Sequence, residues 1–187
     1  MSFYTNEELK EIGFKYVGRN VKISKKSSFY NVKNISIGDN TRIDDFCVIS
    51  AGTGGIKIGK NVHIAVYCSF IGEGSIILED FSGTSSRVAI YSSNDDYSGD
   101  YLTNPTLPAI YTNVTVGDVI LKKHALIGAG SIVLPNVVID EGAAVASLSL
   151  INNNCEAFYI YAGVPAKKLK ARSKKLLEFE EKYLTEY

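Results

Sequence analysis

The stretch LKKHALIGAGSIVLPNVVIDEGAAVASLSLI, residues 121–151, decides the fold because an aliphatic residue returns at every sixth position. A small or modest residue follows four positions after each of them. The aliphatic positions are Leu121, Ile127, Val133, Ile139, Val145 and Ile151, and their partners are Ala125, Ser131, Val137, Ala143, Ser149 and Cys155. A period of six fits no helical stripe. It fits short extended segments joined by tight corners, with both marked positions pointing inward.

The first half of the chain repeats the pattern in shorter series. Their aliphatic positions, with Thr84 as a weak member, are Ile37, Ile43 and Ile49, then Ile58, Ile64 and Phe70, then Leu78, Thr84 and Ile90. Three segments make one triangular coil of about 18 residues, and stacked coils are spaced like neighbouring strands, about 4.8 Å apart. The sequence therefore predicts an all-β stack of coils over residues 21–164.

Three segments depart from the repeat. Residues 92–113, SSNDDYSGDYLTNPTLPAIYTN, are polar and aromatic with no period of six, so we expect a functional loop that projects after the third coil. In the N-terminal cap, residues 1–20, Thr5 and Glu8 have capping-box spacing and predict a short helix from Thr5 to Ile12. Residues 165–187 predict an amphipathic C-terminal helix.

Composition narrows the function classes. The 187 residues fit one domain, and 20 basic against 20 acidic residues give no general attraction to nucleic acid or to an anionic membrane. No run of about 18 apolar residues predicts a membrane span, and no signal-peptide pattern begins the chain, so a cytoplasmic location is expected. Three scattered cysteines and two histidines argue against a disulfide framework and against a metal site.

Two motifs beside the repeats carry a resemblance to a known family. IGAGS at 127–131 and YAGVPAKKLK at 161–170, together with the hexads, resemble the left-handed parallel β-helix acyltransferases over residues 19–172. The chain looks like the galactoside, maltose and xenobiotic acetyltransferases. The stretch IYSSNDDYSGDYLTNP, residues 90–105, is more similar to acyltransferases of nucleotide-linked amino sugars such as 4-amino-4,6-dideoxyglucose. The resemblance implies left-handed coils, homotrimers with active sites between subunits, acetyl-CoA as cosubstrate, and a place in lipopolysaccharide O-antigen biosynthesis.

The resemblance also implies where CoA binds. The family's pantetheine arm follows a coil corner and meets backbone amides, and small residues there let the cofactor approach. The matching positions are Gly128 and Ala129 on one coil and Ala146 and Ser147 eighteen residues later. The basic cluster after Pro165 is the expected partner of the CoA phosphates. Its candidate ligands are Lys167, Lys168 and Arg172.

The expected catalytic residues are Asp95 and His63. Asp95 stands where the galactoside and xenobiotic enzymes keep a histidine base at the start of the loop. An ordinary aspartate is a weak base for a sugar hydroxyl, whereas an amine needs to lose only one proton before it attacks, so the change favours N-acetylation. His63 matches the histidine that the galactoside and maltose enzymes keep in an Ile-His-Ile-Gly stretch, and we expect it to polarise the thioester carbonyl or to position the acceptor. The expected substrate contacts are Glu73, Asn94, Asp96 and Tyr97, and His124 is expected to take no part in catalysis.

Alternatives to this assignment remain open. A sugar O-acetyltransferase is the main rival, and a non-enzymatic β-solenoid scaffold is a third hypothesis. The zinc carbonic anhydrases that share the fold need three histidines, which the chain does not have. No nucleophilic triad is visible, so transfer is expected to be direct from the thioester to a sugar or nucleotide-sugar acceptor.

Overall fold

The computed structural model describes residues 2–186 and shows six stacked coils of three short strands each. The strands of the first four coils are β1 (Tyr16–Val17), β2 (Lys22–Ile23), β3 (Ser28–Tyr30), β4 (Ile35–Ile37), β5 (Arg42–Ile43), β6 (Val48–Ala51), β7 (Ile56–Ile58), β8 (His63–Ile64), β9 (Ser69–Gly72), β10 (Ile76–Leu78), β11 (Gly83–Thr84) and β12 (Ala89–Tyr91). An antiparallel pair, β13 (Ser93–Asn94) and β14 (Thr115–Val116), forms the base of the projecting loop.

The stack continues after that pair. Coils five and six contain β15 (Val119–Leu121), β16 (Leu126–Ile127), β17 (Ile132–Val133), β18 (Val137–Ile139), β19 (Ala144–Val145) and β20 (Leu150–Ile151). The remaining elements are β21 (Tyr159–Gly163), β22 (Ala166–Ala171), the helices α1 (Asn6–Ile12) and α2 (Leu176–Glu186), and the 3-10 turns Val32–Asn34 and Ala109–Tyr111.

The coils give the stack three parallel sheets. We call them face 1 (β1-β4-β7-β10-β15-β18), face 2 (β2-β5-β8-β11-β16-β19-β21-β22) and face 3 (β3-β6-β9-β12-β17-β20). The first corner joins face 1 to face 2, the second joins face 2 to face 3, and the third joins face 3 to the next coil. All pairs in these sheets are parallel except β21 with β22. The projecting loop leaves from the third corner.

The core is the inside of the triangle, as the hexads predict. Ile43 pairs with Ile64 on face 2, and both are fully buried. The small polar residues at the fourth positions satisfy their hydroxyls across coils, as Thr41 does when its Oγ1 donates to Gly59 O at 2.8 Å. Among the described residues no buried side-chain nitrogen or oxygen lacks a hydrogen-bond partner. Polar groups that are buried in the narrow interior need hydrogen-bond partners, and here they have them.

The stack begins earlier than the hexads predict. β1 pairs in parallel with β4, so residues 16–20 belong to the first coil rather than to an N-terminal cap. Val17, Ile23 and Phe29 are spaced six apart and form a hexad series that we missed, because the turn Val32–Asn34 breaks its spacing from the series that begins at Ile37. The projecting loop consequently leaves after the fourth coil and not after the third.

The helix predicted at the N-terminal end is present, whereas the C-terminal end is only partly helical. The helix α1 is confirmed, with Thr5 as its N-cap and Glu8 completing the capping box. The prediction of one helix over 165–187 is wrong in its first part, because Ala166–Ala171 pair as β22 with β21 and cover an edge that would otherwise stay open. The helix α2 begins only at Leu176. Met1 and Tyr187, the ends of the two predicted cap segments, lie outside the described residues.

Candidate active site

The four small residues predicted to line a CoA groove lie together on the second corner. Gly128 and Ala129 follow β16, and Ala146 and Ser147 follow β19 on the next coil. The backbone is closely stacked there, since a Cβ added to Gly128 would lie 2.5 Å from Ser147 N and 2.7 Å from the carbonyl carbon of Ala146. Coil stacking alone therefore requires glycine at 128.

The basic residues beyond the second corner do not all point outward. Lys167 is exposed on β22. Lys168 Nζ lies 2.6 Å from Glu156 Oε2, and this hydrogen bond raises the pKa of the lysine. Arg172 Nη1 donates to His124 O at 3.1 Å and to Gly142 O at 2.9 Å. Arg172 thus clamps the first corner, which leaves Lys167 and Lys168 as the better candidates for phosphate contacts.

The start of the projecting loop lines a cavity of about 330 Å³ at the third corner. Asn94, Asp95, Asp96 and Tyr97 contribute to its wall. The Asp96 carboxylate accepts hydrogen bonds from the Ser98 hydroxyl at 2.7 Å and from two backbone amides, and these bonds lower its pKa. Asp96 therefore holds the turn, and Asp95 is the carboxylate that this cavity offers to a ligand.

Glu73 also lies at the third corner, but it serves the coil. Its Oε1 accepts hydrogen bonds from Thr53 Oγ1 at 2.6 Å and from Thr53 N at 3.1 Å. These bonds lower the pKa of Glu73. The carboxylate joins two neighbouring coils, so the structure explains Glu73 without a sugar ligand.

His63 is half-exposed on face 2 and is held by a buried carboxylate. Its Nε2 lies 2.8 Å from Asp44 Oδ2, and Arg42 Nε lies 2.6 Å from Asp44 Oδ1. The Asp44 side chain is only 7% exposed, against 56% for His63. Asp44 and Arg42 were missed in the sequence. The coil register, which places residues 20 or 21 apart side by side in these coils, is the signal that would have found them.

A cavity of about 490 Å³ lies on face 2 beside His63. Gly83, the strand neighbour of His63, has no side chain to fill the space, and Ser85 and Ser86 border it at the second corner. The other lining residues are Asn61, Ala65, Phe81, Ser82, Thr84, His124, Ala125, Leu126, Arg172 and Leu176. The cavity therefore connects His63 with the corner that carries Gly128 on the next coil up.

His124 has a structural environment. Its ring is stacked on Phe81 at 5.2 Å between centroids, and its Nε2 lies 2.8 Å from Glu180 Oε2 on α2. Both side chains of the pair are less than 10% exposed. His124 fixes the helix against the first corner.

In a single chain the two predicted catalytic residues lie apart. His63 lies on face 2, whereas Asp95 follows β12 and β13 at the far edge of face 3. No group of three or more potential ligands for a metal occurs within residues 2–186. Over the same range no helix is long and apolar enough to cross a membrane.

Comparison with known proteins gives a consistent set of relatives. The chain is 57% identical over 180 residues, 96% of its length, to the dTDP-4-amino-4,6-dideoxy-D-glucose acyltransferase of Escherichia coli, and the match covers 94% of that protein. A crystallised variant of AntD, an N-acyltransferase from Bacillus cereus, in complex with dTDP-4-amino-4,6-dideoxyglucose and coenzyme A, is 50% identical with a TM-score of 0.96. That superposition covers 100% of this chain and 98% of the other.

A second AntD structure contains dTDP and 3-hydroxybutyryl-CoA. It is 50% identical, has a TM-score of 0.93, and covers 99% of this chain and 97% of the other. No family model matches the chain. The coils are thus those of a left-handed parallel β-helix, and the expected fold class is confirmed.

Proposed function

Because the chain belongs to the dTDP-4-amino-4,6-dideoxyglucose acyltransferases of the left-handed β-helix superfamily, we propose that it transfers an acyl group from a CoA thioester to the amine of a nucleotide-linked amino-deoxy sugar. The observation that carries this proposal is the near-complete superposition on an N-acyltransferase crystallised with that sugar nucleotide and CoA. The thymidine nucleotide of those relatives is the first acceptor carrier to test.

The pantetheine arm of CoA follows the second corner in this proposal. Gly128, Ala129, Ala146 and Ser147 offer backbone groups, and Lys167 and Lys168 meet the phosphates. The lysines lie on β22, at the outer edge of face 2. The phosphate end of CoA therefore lies at that edge, and the thioester points down the stack towards the coil of Ser85.

A homotrimer would bring the two halves of the site together. The outer surface of face 3 is uncharged, and its outward residues include Val48, Ile71, Ala89, Ile132 and Leu150 beside Ser28, Ser50 and Ser69. If this face turns towards a threefold axis, the second corner of one copy meets the third corner of the next. Asp95 of one copy then lies near the CoA corner of its neighbour, which explains why Asp95 and His63 are far apart in one chain.

Transfer is direct in this mechanism. The sugar ammonium, which Asp95 of the loop orients, gives one proton to a base, and the neutral amine attacks the thioester carbonyl. The carbon–sulfur bond then breaks, the amide forms, and the CoA thiolate takes up the second proton of the nitrogen. All three cysteines are buried, so none of them is placed to form an acyl-enzyme.

The acyl group is a separate question from the acceptor. Acetyl-CoA is the donor that we expect from the sequence, while a relative binds 3-hydroxybutyryl-CoA. The cavity of about 490 Å³ next to Ser85 has space for more than an acetyl group. A hydroxyl acceptor, as in sugar O-acetyltransferases, is the second candidate. We place the reaction in the cytoplasm and in O-antigen biosynthesis, because nucleotide-linked sugars are the precursors of such polysaccharides.

Two linked measurements test the proposal. Isothermal titration with acetyl-CoA and 3-hydroxybutyryl-CoA should show binding, and Lys167→Gln should weaken it. A panel of nucleotide-linked amino sugars and amine-free sugars, incubated with each donor, should give acylated product by mass spectrometry only from the amines. Absence of any CoA binding would remove the transferase assignment, and acylation of amine-free sugars alone would favour the O-acetyltransferase.

A further inference from the structure

Asp44 holds the ring of His63 in one orientation beside the cavity of face 2. Asp44 is almost completely buried, and its two carboxylate oxygens are shared between Arg42 Nε and His63 Nε2 at 2.6 and 2.8 Å. Buried carboxylates are retained where both oxygens are hydrogen-bonded, and this one is. The histidine ring remains half-exposed on the cavity side.

The arrangement fixes the tautomer of a neutral His63. A carboxylate only accepts hydrogen bonds, so the imidazole nitrogen that faces Asp44 must carry a hydrogen. Because that nitrogen is Nε2, the lone pair of the neutral ring lies on Nδ1. A histidine held in this way by a carboxylate can take up a proton at the opposite nitrogen, and the carboxylate stabilises the imidazolium that forms.

In the proposed binding mode, His63 lies at the part of the stack towards which the thioester of CoA points. From β22 the strands of face 2 run through β21, β19 and β16 to β11 and β8, spaced about 4.8 Å apart. Ala146 and Gly128 lie on coils six and five, which carry the residues proposed to line CoA. Ser85 lies on coil four and His63 on coil three. Gly83, the strand partner of His63, has no side chain, and both residues line the cavity.

We infer that His63 is a catalytic residue that accepts a proton from the acceptor ammonium at Nδ1, and that Asp44 is the positioning residue that sets this nitrogen towards the cavity. The inference rests on the proposed function. The ammonium loses one proton to Nδ1, the amine attacks the thioester carbon, and the departing thiolate takes the second proton. His63 returns its proton to solvent after the amide is released. In this scheme Asp95 orients the amine from the loop.

The test separates this role from a structural one. His63→Gln should lower kcat by roughly 10²-fold and change the acid limb of the pH profile of kcat/KM to one set by ionisation of the substrate amine, with the dissociation constant of acetyl-CoA unchanged. Asp44→Asn should lower kcat at least about tenfold with an unchanged KM for acyl-CoA. Asp39→Asn is the matched control, because Asp39 also accepts hydrogen bonds from a neighbouring coil but lies at the first corner, and it should retain full kcat.

A measurement on the unmodified protein covers the case in which Asp44→Asn does not fold. The nitrogen-15 spectrum of the imidazoles, assigned with His124→Gln, should show Nε2 protonated in neutral His63. A neutral ring protonated at Nδ1, or a His63→Gln enzyme with normal kcat and an unchanged acid limb, would overturn the inference. Retained CoA binding and transfer in that variant would leave the proposed function standing.

Discussion

At the scale of single residues, two separate reasons explain the glycine at position 128. The CoA resemblance and the coil stacking both require a small residue there, and only the structure shows the 2.5 Å approach of a hypothetical Cβ to Ser147 N. Gly128→Ala should therefore lower the thermal midpoint and also raise the KM for acyl-CoA. Gly99→Ala is a useful control, since a Cβ at Gly99 meets nothing within 4 Å and only its left-handed φ of 87° is strained. A Gly128→Ala protein with normal stability would contradict the packing argument.

Asp95 is the residue on which the loop's role depends. Asp95→Asn should lower kcat by roughly 10²-fold while acetyl-CoA still binds, because an amide orients an amine poorly and carries no charge. Steady-state kinetics and calorimetry measure the two effects. Asp100→Asn, an exposed change in the same loop, should have the wild-type rate. Equal rates for the wild type, Asp95→Asn and Asp100→Asn would show that Asp95 takes no part in transfer.

The cysteines give a test of burial. Cys47, Cys68 and Cys155 are each at most 1% exposed. Burial raises the pKa of the Cys155 thiol to about 12, so that thiol stays protonated at neutral pH. An aromatic disulfide reagent should react with no thiol in the native protein and with three after denaturation. Fast reaction of any cysteine before unfolding would show that the coils open locally.

At the scale of elements, the helix α2 depends on one buried carboxylate. Burial disfavours the charge on Glu180, but hydrogen bonds from Lys123 and His124 outweigh it and hold the pKa of Glu180 below its usual value of 4.5. A lowered pKa stabilises the folded state above pH 4.5, and this contribution is lost as the pH falls through the folded-state pKa. Glu180→Gln should therefore cost about 1–3 kcal/mol at pH 7.

The difference in stability between the wild type and Glu180→Gln should shrink below pH 4.5. Thermal unfolding at a series of pH values measures this difference. Glu178→Gln on the exposed side of α2 is the matched control and should behave like the wild type. A pH-independent difference would assign the effect to packing rather than to charge.

The elements also show what the sequence can predict. The hexads identify the long regular coils because each inward position lies at a fixed spacing, and the capping box identifies α1. The first coil was missed because the turn Val32–Asn34 breaks its spacing from the next hexad series, and β22 was missed because a charged edge strand carries little local signal. Asp44 and His63 are 19 residues apart, so their contact depends on coil register, which no short motif reports.

At the scale of the whole molecule, the proposed trimer depends on face 3. Ile71 and Ile132 are each 38% exposed in a single chain. We expect a homotrimer with three times the chain mass of 20.4 kDa, measured by light scattering. Ile132→Glu should give monomers and abolish transfer, since each site would lose one half. Lys57→Glu on face 1 should leave the trimer and the rate intact. A fully active monomer would contradict the shared site.

The most direct test of the amine preference compares two acceptors that differ at a single position. The enzyme is incubated with acetyl-CoA and either dTDP-4-amino-4,6-dideoxyglucose or the same sugar nucleotide with a hydroxyl in place of the amine, and release of the CoA thiol is followed. We predict rapid release with the amine and at most about 1% of that rate with the hydroxyl, because a neutral amine is a strong nucleophile whereas a hydroxyl is a weak one until it is deprotonated. Equal rates with both acceptors, or release with the hydroxyl alone, would contradict an amino-sugar N-acyltransferase.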